Sequence, residues 1–235
     1  MSGAVELRLL TSAWCVFSLC HQPHCGKKRC VVVRVAAYID GFNLYFGLKD
    51  KYARRYLWLD LQAVAESLLR RDQELVYVTY FTARVRGDAD SQQRQSDYLD
   101  ALVSHSPLVS VVDGRFQEKR RQCRQCGTSW TVYEEKETDV HIAVSLVEDG
   151  VRDRYDTALL ISADSDLCPA VRAIKRLRPE KRIIAAFPPR RNSDDLKRAV
   201  DGYLSIGHAT VRQAQLPAQV VTSDGIVLSR PKRWA

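Results

Sequence analysis

Two apolar runs that each end in acid constrain this chain more than any other feature. The first, Val31 to Ile39, is β-branched and nearly continuous, and it stops at Asp40-Gly41-Phe42-Asn43. The second, Ala158-Leu-Leu-Ile-Ser-Ala-Asp-Ser-Asp-Leu167, is a strand over Thr157 to Ala163 that runs into Asp164 and Asp166. Strands this uniformly apolar are covered on both faces, as in a parallel sheet between layers of helices. In open α/β sheets, ligands sit in the crevice outside the carboxyl ends of the strands. Two such strands therefore aim their carboxylates into one crevice, a setting that suits a divalent metal and a phosphate ester.

The rest of the chain alternates between the two periods. Asp60 is placed to cap a helix with Leu61, Val64, Ala65 and Leu68 on one face. Leu75 to Val85 reads as a strand, followed by a glutamine-rich helix ending near His105 and a strand over Leu108 to Phe116. A helix is expected over Thr138 to Asp149, capped by Thr138 and ended by Gly150. Beyond the second acid-tipped strand come a helix through Ile174, a strand over Arg182 to Phe187, a helix capped by Ser193, and a last strand over Tyr203 to Ile206. This order predicts an α/β fold with a central, mainly parallel sheet flanked by helices. The expected organisation is a disordered, cysteine-rich leader over residues 1–30, a domain over 31–210 with an insertion at 115–137, and a basic C-terminal tail over 211–235.

The formal charge is +8, from 36 Lys and Arg against 28 Asp and Glu. A basic surplus favours a polyanionic partner, because each neutralised phosphate releases counterions. Seven cysteines, an odd number, do not read as a secreted disulfide framework, and a reducing cytoplasm is the expected location. Leu9 to Leu19 is apolar, yet Glu6, Arg8 and the Leu19-Cys20 junction do not make a signal peptide. Cys20, His21, His24 and Cys25 are zinc-binding residue types whose crowded spacing fits no finger pattern. No run is long enough to span a membrane, so no membrane partner is expected.

Taken singly, each acid has an ordinary explanation. Asp40-Gly41 is a common turn pair, Asp164 and Asp166 are turn and cap residues, and Asp139 in a first helical turn complements the helix dipole. Taken together, converging carboxylates repel and raise one another's pKa. Mg²⁺ or Mn²⁺, which prefers oxygen ligands, relieves that repulsion and promotes attack of water on a phosphodiester. Asn43, one turn beyond Asp40, is placed to orient a ligand or a water.

Three blocks, Tyr38-Ile-Asp-Gly-Phe-Asn43, Glu134-Glu-Lys-Glu-Thr-Asp-Val-His141 and Leu160-Ile-Ser-Ala-Asp-Ser-Asp-Leu167, resemble in this order the NYN domain of the PIN-like ribonucleases, with its LabA-like subgroup. The resemblance runs from about Val33 to Ile206. It implies a Rossmann-like PIN-type fold and metal-dependent hydrolysis of RNA phosphodiester bonds. It also implies a catalytic set of Asp40, Asn43, Asp139, Asp164 and Asp166, with the four aspartates holding Mg²⁺ or Mn²⁺. A catalytically weak RNA-binding or regulatory protein that keeps the acidic site is the alternative, since some LabA-like proteins look regulatory.

The insertion reads as two strands joined at Cys123-x-x-Cys126-Gly127. Zinc takes four ligands and two are local, so a zinc site there needs a second pair from the leader or from the other subunit of a homodimer. A reduced, metal-free pair is the plainer reading. Lys119, Arg120, Arg121 and Arg124 with Trp130 and Tyr133 nearby match the charge and stacking needs of single-stranded RNA, and a solvated hairpin accounts for them equally. Arg190 and Arg191, after a strand end on the expected active edge, are a second phosphate candidate. No GxGxxG follows the first strand, which argues against a dinucleotide site.

Overall fold

A computed structural model describes residues 32–86 and 88–234, with the backbone alone for 116–118 and 132–135. The expectations for the leader, including its cysteines, lie outside the described residues. From Val32 onward the chain forms one compact unit.

The first apolar run becomes β1 (Val33–Asp40), in which the last six residues are buried. Its side chains alternate between two cores, as the period of a strand requires. Val35, Ala37 and Ile39 enter one core, and Ala36 and Tyr38 the other. The first core is roofed by α1 (Gly41–Tyr52), α2 (Leu61–Ser67) and α3 (Ala89–His105). The second lies under α4 (Thr138–Val151), α5 (Cys168–Leu177) and α6 (Asp194–Ala199).

β1 is flanked by β2 (Gln73–Ala83) and β5 (Thr157–Ile161), both parallel to it. Beyond β2 lies β3 (Val109–Gln122), and beyond β5 lie β6 (Arg182–Phe187) and β7 (Gly202–Ser205), again all parallel. The chain thus winds outward from β1 through β2 to β3, crosses back through α4, and winds outward again from β5. Its direction reverses between β1 and β5, and a doubly wound sheet opens its ligand crevice at such a reversal. β4 (Ser129–Lys136) adds the one antiparallel edge, pairing with the far half of β3 from Arg115↔Lys136 to Gln122↔Ser129.

Several local expectations need correcting. Asp40-Gly41 is no turn: Asp40 itself caps α1 through Asn43 N, and Gly41 is the first helical residue. Glycine is required there because a Cβ would stand 2.5 Å from the Phe81 carbonyl oxygen and 3.0 Å from the Tyr80 ring. Thr138 is not the cap of α4 but its first residue, since Glu137 ahead of it takes a left-handed φ of 78°. Gly150 does not end α4; it lies inside the helix, where a Cβ would collide with Ile174 Cδ1, so it sets how closely α4 approaches α5.

The C-terminal segment is no detached tail. α7 (His208–Gln213) and the hairpin of β8 (Gln219–Val221) and β9 (Val227–Ser229) fold back on the first core. Val211, Leu216 and Val220 are buried in it, and Trp58 donates its indole N–H to the Pro217 carbonyl at 2.7 Å. No helix among the described residues is long and apolar enough to cross a membrane.

Candidate metal centre

The carboxyl ends of β1 and β5 lie side by side, with Ile39 opposite Ile161. Asp40, the last residue of β1, is 2% exposed. Its carboxylate survives there because three donors meet it. Asn43 gives its backbone N–H to Oδ1 at 2.9 Å and its amide to Oδ2 at 2.7 Å, and Ser162 Oγ donates to Oδ2 at 2.8 Å. Burial pushes the Asp40 carboxyl above its ordinary range, these hydrogen bonds draw it back, and the charge of Asp164 raises it again.

Ser162 does a second job. Just beyond β5 and fully buried, its oxygen also accepts the Asp164 N–H at 3.0 Å. Asn43 Oδ1 accepts the Ala163 N–H at 3.3 Å. Two short side chains thus lace the end of β1 to the turn after β5 and hold Asp40 and Asp164 in register. Asp164 in turn caps the single-turn helix Ser165–Leu167 by accepting the Asp166 N–H at 2.9 Å.

Asp139, from the first turn of α4, completes the group. Ligand oxygens of Asp40, Asp139 and Asp164 all lie within 4.8 Å of one another, the one such group of three or more metal-ligating side chains among the described residues. Three hard oxygen donors from a buried and two half-buried carboxylates match the preferences of Mg²⁺ or Mn²⁺, which keep waters in their remaining positions. The cost of ionising Asp40 against Asp164 is a cost that a cation removes. The expected convergence of four acids is met by three. Asp166 is exposed in the single-turn helix and outside the group, and its backbone N–H is what meets Asp164.

The other expected residues are distributed differently. In the hairpin, Arg121 lies opposite Trp130 and Lys119 opposite Val132. Alternation puts Lys119, Arg121 and Trp130 on one face and Arg120 on the other, while the exposed Arg124 sits in the turn. The four cations are therefore not one patch. The hairpin's root is tied to the start of α4 by Arg115 Nε on Glu137 Oε1 at 2.6 Å. Arg190 is exposed at a left-handed φ of 57°, and Arg191 pairs with Asp50 of α1 at 2.5 Å, which matches its charge within the protein.

A basic groove escaped the sequence reading. It starts at Ser165 and is lined by Arg172, Lys175 and Arg176 of α5 with Arg198 of α6. Lys175 pairs with Asp201 at 2.7 Å and Arg198 with Asp195 at 2.5 Å. The i, i+4 spacing of Arg172 and Arg176 was a visible signal, but the contribution of α6 depends on tertiary packing.

Among the described residues Cys123 and Cys126 belong to no group of three metal-ligating side chains. The Cys126 thiol donates to Thr128 Oγ1 at 3.3 Å, and the Thr128 hydroxyl and N–H, which favour the thiolate, pull its pKa down to about 7. Burial pushes the Cys168 thiol the other way. Alkylation of Cys126 by iodoacetamide, followed by peptide mass, should thus rise to half its limit near pH 7, with Cys168 slow throughout. Thr128→Val should move that midpoint up toward roughly 8.5, the ordinary thiol value. An unmoved midpoint would show that Thr128 does not stabilise the thiolate.

The family model described as the NYN domain matches residues 34–207. A curated protein, the 6-hydroxy-3-succinoylpyridine 3-monooxygenase HspA of Pseudomonas putida (strain DSM 28022 / S16), is 28% identical over 178 residues, covering 61% of this chain and 56% of that protein. This chain thus spans little more than half the length of that relative. The crystal structure of a protein of unknown function from Vibrio parahaemolyticus RIMD 2210633 superposes with a TM-score of 0.51 at 19% identity, over 76% of this chain and 95% of the other. That likeness bears on the fold alone.

Proposed function

The chain belongs to the NYN domain family, and from that membership together with its acid cluster we propose that it is a Mg²⁺- or Mn²⁺-dependent ribonuclease that hydrolyses RNA phosphodiester bonds. The observation that carries the reading is the meeting of Asp40, Asp139 and Asp164 within 4.8 Å at the point where the sheet reverses direction. A divalent cation held by these three supplies charge stabilisation to the phosphate oxygens and a more acidic water. The chain's own part is positional. Asn43 and Ser162 fix the Asp40 carboxylate, and Ser162 fixes the backbone of Asp164. Asp166, exposed at the rim, is left to contact water or RNA.

The RNA path runs over cations on both sides of the centre, the Lys119–Arg121–Trp130 face of the hairpin and the Arg172–Arg176 groove. Single-stranded RNA fits the exposed Trp130, whose ring offers a face to a base. A reducing cytoplasm suits the free thiols Cys123 and Cys126. The monooxygenase activity named for the Pseudomonas relative belongs to a protein of which this chain covers 56%, and no feature of the acid cluster calls for it.

The test is incubation of the purified protein with end-labelled single-stranded RNA and DNA in Mn²⁺, Mg²⁺ or EDTA. RNA fragments are expected in Mn²⁺ or Mg²⁺ and none in EDTA. RNA retained on the protein but uncut in every metal would assign the chain to the RNA-binding, non-cleaving alternative.

A further inference from the structure

Beside the acid cluster, on the α1 face of the sheet, lies a cavity of about 290 Å³. Its size is at the lower end of small-molecule pockets, which run from roughly 300 to 1,000 Å³. Aromatic rings of Phe42, Phe46, Tyr98 and Trp234 line it, and Thr82 and Arg94 add polar groups. Gly41 and Tyr80 are also among its lining residues. Gly41 directly follows Asp40, and the Tyr80 ring fills the space where a Gly41 side chain would go. The cavity therefore begins one residue from the metal-binding carboxylate.

The charge around this apolar hole is positive. Arg54 and Arg94 are on its wall, Arg94 also pairing with Asp88 at 3.6 Å, and the Lys49 ammonium stands 5.8 Å from the Phe46 ring centre and 5.9 Å from that of Tyr45. Phe42, Tyr45, Phe46 and Lys49 recur at helical spacing, so α1 carries one stripe of three rings and a cation, with Tyr45 and Phe46 exposed. An aromatic slot rimmed by cations is complementary to a flat ring that has an anion on either side of it. A base within a polynucleotide is such a group.

We propose that this cavity receives the base of the nucleotide adjoining the phosphodiester that lies at the acid cluster, stacking it against the α1 aromatic stripe. The proposal rests on the ribonuclease reading and adds to it a base subsite that sets where along the strand the chain engages RNA. The base leaves its neighbours in the strand, and stacking on the protein rings replaces the stacking it loses.

The experiment walks a single abasic site along fluorescein-labelled single-stranded RNA. Cleavage is measured with the unaltered protein in Mn²⁺, and affinity by anisotropy with Asp164→Asn. One position next to the cut should show a loss of roughly tenfold in both, the scale of one base–aromatic stack, and the other positions much less. Phe46→Ala, at a half-exposed ring that the core does not need, should lose roughly tenfold in affinity for intact RNA and show no further loss at that position. Cleavage with an even response to the abasic site would overturn the base subsite and leave the nuclease standing. A single sensitive position in the binding assay, with no cleavage in any metal, would keep the subsite and remove the hydrolysis. Failure to bind RNA at all would overturn both.

Discussion

Asp164→Asn is expected to abolish RNA cleavage, lowering the rate by about 1000-fold or more, while leaving the fold intact. The loss follows from removing one of three carboxylates around the proposed divalent ion, whose contribution of several kcal/mol, about 4 being a factor of about 1000, would go with it. The fold is spared because the hydrogen bond that Asp164 Oδ1 accepts from the Asp166 N–H is one that an asparagine oxygen accepts equally. Asp40→Asn is a poorer probe. Asp40 Oδ2 accepts from both Asn43 Nδ2 and Ser162 Oγ, and an amide nitrogen in its place would face the Asn43 amide donor to donor. Activity undiminished in Asp164→Asn would identify a contaminating nuclease.

The same variant gives a second readout that needs no turnover. An ion that binds only the folded chain at about 100 times its Kd adds about 2.7 kcal/mol, which for a domain of this size is roughly 5–10 °C in Tm. Wild type should show that shift with Mn²⁺ and Asp164→Asn little of it. The shift also has a pH dependence of known sign. The folded pKa of Asp40 lies above its unfolded value, so the metal-free fold binds more protons than the unfolded chain over the interval between them. Through this group the metal-free protein loses stability as pH rises from about 4 through the folded pKa. Bound metal removes the loss, so the Mn²⁺-induced shift should grow across that window. A shift that is flat in pH and unchanged in Asp164→Asn would place the ion elsewhere.

How much of this centre was legible in the sequence depends on range. Asp40 and Asp164 could be placed from local pattern, because an apolar strand followed by acid brings its own end to the crevice. Asp139 could not. It reaches the centre only because α4 packs its Ile142 and Leu146 under the sheet, and from the sequence it was placed by family resemblance. Ser162 matched the family motif but was given no role, since a serine at the end of an apolar strand looks incidental until its two hydrogen bonds are seen. Asp166 lies outside the group of three, and sequence proximity to Asp164 says nothing of which way a single-turn helix directs it. The split of Lys119 and Arg121 from Arg120 was implicit in strand alternation, and needed only the observed register to become definite.

The C-terminal segment shows the same limit in the core. Val211, Leu216, Val220 and Trp234 fit neither helix nor strand period over any useful length, so residues 211–235 read as tail. Their partners lie far back in the chain. Trp58, fully buried, clusters with Tyr98 of α3 and Trp234, with ring centres 5.9 and 6.4 Å from its own and 6.0 Å from each other, and holds Pro217 through its N–H. Trp58→Ala is therefore expected to cost about 3–5 kcal/mol, the range for truncating a large buried aromatic, and to lower Tm by roughly 10 °C. Trp58→Phe keeps most of the ring but leaves the Pro217 carbonyl without its donor, at about 1–3 kcal/mol. Removal of residues 218–234 should destabilise the chain in the same sense, because it uncovers the Trp58 and Tyr98 rings and strips Val220 from the core. It should also open the wall that Trp234 gives to the cavity beside α1, so RNA affinity should fall along with Tm. Chemical denaturation of the three variants checks the order, and a truncated chain as stable as the full one would return residues 218–234 to the status of a tail.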